Sequence, residues 1–110
     1  MLFRSQTVRR LIANYGSRHR DVIAEVAGDA TRLAPISEGT DVTGAEVTFA
    51  VRREMAAKLG DVVFRRTDLG SAGHPGEGPL TAAAALVAKE LGWDEARIGR
   101  ELAEVRRRFP

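Results

Sequence analysis

The chain is 110 residues long, 44% hydrophobic and 29% charged, which fits one globular domain. It has no cysteine, which excludes disulfides, thiolate zinc sites, iron–sulfur clusters and a cysteine nucleophile. No window approaches the roughly 18 apolar residues of a membrane-spanning helix, and Arg4 interrupts the start too early for a signal peptide, so the expected setting is a soluble, cytoplasmic domain.

The net charge of +2 is unevenly spread: residues 1–20 carry +5, residues 21–51 carry −5 and residues 52–110 carry +2. Such segregation favours pairing between packed segments over a uniformly basic nucleic-acid surface.

The apolar period is helical nearly throughout. Val8, Leu11, Ile12 and Tyr15 mark one face of a first helix, with Ser5 as its N-cap and Gly16 as its left-handed stop. Ser17 is placed to cap a second helix carrying Val22, Ile23, Val26 and Ala27, which Gly28 and Asp29 end. Residues 28–43 read as a loop pinned by Leu33, Pro35 and Ile36.

Thr43 and Glu46 then form a T-x-x-E capping box ahead of Val47, Val51, Met55 and Leu59, which predicts one long helix ended by Gly60. Asp61 is expected to cap a short helix through Thr67. Residues 70–79, with four glycines and two prolines, read as a connector. An alanine-rich helix follows from Leu80 to Leu91, closed by Gly92. Asp94 caps a last helix carrying Ile98, Leu102, Val105 and Phe109. The expected fold class is all-α, a compact orthogonal bundle of about six helices in a single domain, residues 1–110.

Few residue groups suggest chemistry. The glycine stretch has neither a phosphate-loop nor a dinucleotide spacing, and Pro79 removes a backbone donor that a phosphate cradle would use. His19 and His74 stand alone, without a metal-ligand spacing, so no metal site is expected. Asp94 and Glu95 fit helix capping, and Glu101 and Glu104 read as a solvent face. Arg106, Arg107 and Arg108 suit the negative end of the last helix dipole. Aromatics make up only 5%, which disfavours nucleic acid. Asp61-Val-Val-Phe-Arg-Arg-Thr67 stands out: beside Phe64, read as buried, one arginine is placed to pair with Glu54 or Glu46 and the other to reach a neighbouring surface, with an ion pair inside the domain favoured.

Three stretches carry a family resemblance: Arg10-Leu-Ile-Ala-Asn-Tyr-Gly-Ser17, Ala45-Glu-Val-Thr-Phe-Ala-Val-Arg-Arg-Glu-Met-Ala56 and Asp61-Val-Val-Phe-Arg-Arg-Thr67. With Leu91-Gly-Trp-Asp94 and the closing acid-and-arginine helix, they resemble, in order, the C-terminal helical domain of FAD-dependent glycerol-3-phosphate dehydrogenases and α-glycerophosphate oxidases. Asp68 departs from the basic residue common there, and the Gly70–Pro79 loop is richer in glycine.

The resemblance implies a parent enzyme that oxidises sn-glycerol 3-phosphate to dihydroxyacetone phosphate through FAD to quinone or oxygen. That parent would be cytoplasmic or peripheral on the cytoplasmic membrane face. FAD and substrate would bind in its other domains, leaving this one without catalytic, cofactor-binding or metal residues. Glu46, Glu54, Phe64, Arg65, Arg66 and Thr67 would organise the domain and its contact with the FAD-binding catalytic domain, or serve assembly into a homo-oligomer. The alternative is a free-standing helical adaptor for a protein or nucleic-acid partner; no residue group supports a small enzyme in its own right.

Overall fold

The strongest local signal in the sequence lies at the centre of the molecule. In the computed structural model, which describes residues 5–109, Thr43 Oγ1 accepts the Glu46 N–H at 3.3 Å while Glu46 Oε2 accepts the Thr43 N–H at 2.7 Å. This reciprocal pair satisfies donors that the first helical turn leaves open.

The helical elements in chain order are α1 (Ser5–Tyr15), α2 (His19–Glu25), α3 (Gly44–Arg53), α4 (Leu59–Asp61), α5 (Glu77–Leu91) and α6 (Glu95–Arg107). The single turn α4 runs directly into a π-helical stretch, Val62–Arg66, and 3-10 turns occupy Gly16–Arg18 and Ala30–Leu33. There is no sheet among the described residues, only an isolated antiparallel bridge between Pro35 and Thr43. The all-α expectation holds, with a helix count close to the six expected. Among the described residues, no helix is long and apolar enough to cross a membrane.

All residues of α3 from Gly44 to Ala50 are buried, because two apolar clusters use opposite sides of this helix. Ala45 and Phe49 join Leu11, Val22, Val26 and Leu33 in an N-terminal cluster. Val47 and Ala50 join Leu59, Val62, Val63, Leu80, Val87, Leu102 and Val105 in the larger one. Glu90 ties the segments on the outside, accepting from Arg52 at 2.6 Å and from Arg32 at 3.0 Å. The hydrogen bond from Arg52, opposed by burial and helped by Arg32, holds the Glu90 carboxyl below its ordinary range.

Gly16 and Gly92 take the left-handed conformation expected of helix stops, with φ of 57° and 73°. Other boundaries depart from the sequence reading. The predicted long helix ends at Arg53, because Ala50 O accepts both the Glu54 and the Ala56 N–H, wrapping the chain back on itself. Met55, expected in the core, sits at the apex of that wrap with φ 61° and is 88% exposed. Gly60 therefore lies inside the following turn rather than ending α3.

Asp61 stands at the N-cap position of the Val62–Arg66 stretch but makes no side-chain cap bond to it; its Oδ2 instead reaches backward to accept from Ala57 N and Lys58 N. Ser17 lies within a 3-10 turn and caps nothing, and α5 starts at Glu77 with Pro79 already in its first turn. Ile12 is exposed rather than buried. The caps and charges assigned to Ser5 and Arg4 lie outside the described side chains.

Glu101 is the clearest correction on the last helix. It is buried, not on a solvent face, and accepts from Leu59 N at 2.9 Å, Arg97 Nε at 3.0 Å and Lys58 Nζ at 3.3 Å. Periodicity alone could not place it, because the open N-terminus of α4 is what draws a carboxylate into the core there.

Candidate functional site

The residues singled out between Glu46 and Thr67 come from two separate elements. Glu46 lies in α3 and Glu54 at its C-terminal cap; Arg65, Arg66 and Thr67 lie at the end of the π-helical stretch. Five of them line one open cleft of about 320 Å³, together with Asn14, Tyr15, Arg18 and Asp68. Phe64 is not among them. It is half-buried against Phe109, with ring centroids 5.0 Å apart, and carries the Arg108 guanidinium 4.1 Å above its face.

Within the cleft, Glu46 and Thr67 are committed to holding the fold. Glu46, 1% exposed, receives Arg10 Nη2 on both carboxylate oxygens at 2.7 Å, in addition to its capping bonds. Burial pushes its carboxyl above the ordinary range against the pull of the Thr43 N–H and Arg10. Thr67 Oγ1 donates to Val62 O at 2.7 Å and accepts from Leu69 N at 3.2 Å, closing the wide π turn.

Tyr15 packs edge-on against Phe49, with centroids 5.9 Å apart. Burial, then the negative charges of Glu46 and Glu54, hold its hydroxyl protonated well above the usual range, so it stands in the cleft as a neutral donor. Arg18 lies 5.1 Å from the centre of the Phe49 ring and 3.8 Å from Glu54 Oε2. Asn14 donates to Asp68 at 2.8 Å.

What remains is unsatisfied. Glu54 Oε1 and Arg10 Nη1 are buried with no hydrogen-bond partner among the described residues. The exposed Arg65 and Arg66 make no ion pair among the described residues, because Glu46 is taken by Arg10 and Glu54 by Arg18. Among the described residues, the favoured ion pair with Glu46 or Glu54 is therefore absent for both arginines. Fixed guanidiniums, a neutral phenol and one open carboxylate oxygen suit binding better than proton transfer.

Sequence reasoning passed over Arg10 and Arg18 as cleft residues. The opposed charges of residues 1–20 and 21–51 were their signal, since Arg10 crosses between those two blocks to reach Glu46.

Comparison with known proteins bears on this arrangement. Residues 2–98 match the family model of the C-terminal domain of alpha-glycerophosphate oxidase. The chain belongs to that family. It is also similar to glycerol-3-phosphate dehydrogenase 2 of Mycobacterium tuberculosis and of Mycobacterium bovis, 39% identical over 98 residues in each. The glycerol-3-phosphate dehydrogenase of Mycobacterium leprae is 37% identical over the same length. Each alignment covers 87% of this chain but 17% of the relative, so the chain spans about a sixth of those proteins. No solved structure gives a significant match.

Proposed function

We propose that this chain is the non-catalytic C-terminal domain of an FAD-dependent glycerol-3-phosphate dehydrogenase and packs on the catalytic portion of that enzyme. The parent oxidises sn-glycerol 3-phosphate to dihydroxyacetone phosphate, passing electrons through FAD to quinone or oxygen in the cytoplasm or at its membrane face. The observation that carries this reading is the match of residues 2–98 to one domain of relatives that are about six times longer.

The chemistry of the chain supports assigning the flavin to other domains. A dinucleotide pyrophosphate is held where a strand turns into a helix N-terminus through a glycine fingerprint. The described residues include no strand of that kind, and Pro79 removes an N–H from the first turn of α5, the one helix that glycines lead into. These residues do not fit FAD by themselves.

The test is to express the full-length protein and a version lacking these 110 residues, then measure flavin absorbance and glycerol-3-phosphate-dependent dye reduction. The expected result is a full-length flavoprotein that reduces dye, with the separate 110-residue chain binding no flavin. Flavin binding or turnover by the 110 residues alone overturns the reading.

A further inference from the structure

Two features of this domain have no use among the described residues, and one of them is strained. The first is Met55. Its φ of 61° places a long, unbranched side chain in the left-handed region that helix-ending wraps normally reserve for glycine. The wrap itself is fixed by the bonds from Glu54 N and Ala56 N to Ala50 O, at 3.2 and 3.0 Å, and by burial of Ala56 and Leu59 just beyond. A glycine would make the same turn without strain. No part of the domain covers the Met55 side chain, the most exposed of its large apolar residues among those described.

The second feature is the pair Arg65 and Arg66. Two adjacent guanidiniums face solvent without a counter-charge among the described residues, while Glu54, the residue before Met55, lines the same cleft and leaves Oε1 open. The strained, uncovered methionine thus directly follows Glu54, which lines one cleft with the two arginines. Methionine and arginine are enriched at the cores of protein interfaces, and apolar anchors there sit within a polar rim.

We propose that Met55, Arg65 and Arg66 form a docking surface for the remainder of the parent chain, with Met55 in an apolar notch and the arginines against carboxylates around it. This rests on the function proposed above. The occupant follows from size and charge: five sixths of each relative lies outside the matched region, and Arg65 and Arg66 are the exposed cations of this cleft that lack an ion-pair partner among the described residues.

The test uses the full-length protein with p-benzoylphenylalanine in place of Met55, or in place of Leu91, an exposed apolar residue at the end of α5. After irradiation, position 55 is expected to crosslink to a segment outside these 110 residues that carries Asp or Glu, at least about tenfold more than position 91 does. Adding Arg65→Glu and Arg66→Glu is expected to lower that yield about tenfold. The milder Arg65→Gln/Arg66→Gln pair, checked for unchanged helix content by circular dichroism, should lower it less. Crosslinks confined to this domain, crosslinks to a second copy, or a yield indifferent to both arginine pairs overturn the docking surface. Flavin absorbance and dye reduction of the unsubstituted protein separate the two levels. A flavoprotein without the crosslink refutes the surface alone, and a protein with neither flavin nor turnover refutes both.

Discussion

Glu101 in α6 accepts the backbone N–H of Leu59, 42 residues earlier, at 2.9 Å inside the core. This bond caps α4 from another helix, and Arg97 and Lys58 neutralise the carboxylate at 3.0 and 3.3 Å. Burial pushes the Glu101 carboxyl up, but the Leu59 N–H, Arg97 and Lys58 outweigh it and hold the group below its usual range.

A depressed folded pKa means that the unfolded chain binds the proton more readily. The stabilisation from Glu101 is therefore present above the unfolded value of about 4.3 and is lost as pH falls through the folded one. Glu101→Gln should cost about 1–3 kcal/mol at pH 7 and flatten the loss of stability below about pH 4.3. Urea unfolding at pH 7 and in acid checks this; an unchanged acid slope shows that Glu101 is not a source of it.

Glu46→Ala strands the Thr43 N–H and leaves Arg10, a partly buried cation, without its partner. We expect a loss of about 2–4 kcal/mol, above that of an ordinary cap deletion near 1 kcal/mol. Replacing both residues, as Arg10→Met with Glu46→Leu, should recover part of it, because no uncompensated charge is left behind. Thermal melts of the single and double variants measure the coupling.

Phe64 and Phe49 should part company under the same substitution. Phe49 is 1% exposed at the centre of the N-terminal cluster, and Phe49→Ala should cost about 3–5 kcal/mol. Phe64 keeps one side open beneath Arg108, so Phe64→Ala should cost about 1–2 kcal/mol, mostly lost stacking and half-buried area. Equal losses would mean that the Phe64 ring is more deeply packed than its half-buried contacts indicate.

Met55→Gly should stabilise the domain by about 1 kcal/mol, the relief of a left-handed backbone on a residue with a Cβ. Met55→Val, β-branched at the same φ, should destabilise it. A glycine variant that melts lower would mean that the Met55 side chain contributes contacts within the domain.

Much of the fold was legible where local chemistry is self-contained. The Thr43–Glu46 box, the Gly16 and Gly92 stops and the Asp94 cap need only near neighbours, and all appear as read. The break after Arg53 was not legible. Val47, Val51, Met55 and Leu59 keep a helical period in the sequence, while the chain reverses at Met55 to bury Ala56 and Leu59 from another direction.

The convergence of Glu46, Glu54, Arg65, Arg66 and Thr67 on one cleft was foreshadowed by their shared motifs. Their partners were hidden, because Arg10 and Arg18 reach them across the fold over 36 residues each. The expected pairing of Arg65 or Arg66 with these acids is not made among the described residues, because Arg10 and Arg18 occupy Glu46 and Glu54.

The two apolar clusters both draw on α3, and the cleft is lined by residues from both sides of that helix. Tyr15 and Arg18 stand on its N-terminal bank, with Arg65 and Arg66 on the other. Whatever spans the cleft thus staples one half of the domain to the other. A contact spanning the cleft is then expected to make the α1–α2 half melt together with the rest of the domain rather than ahead of it.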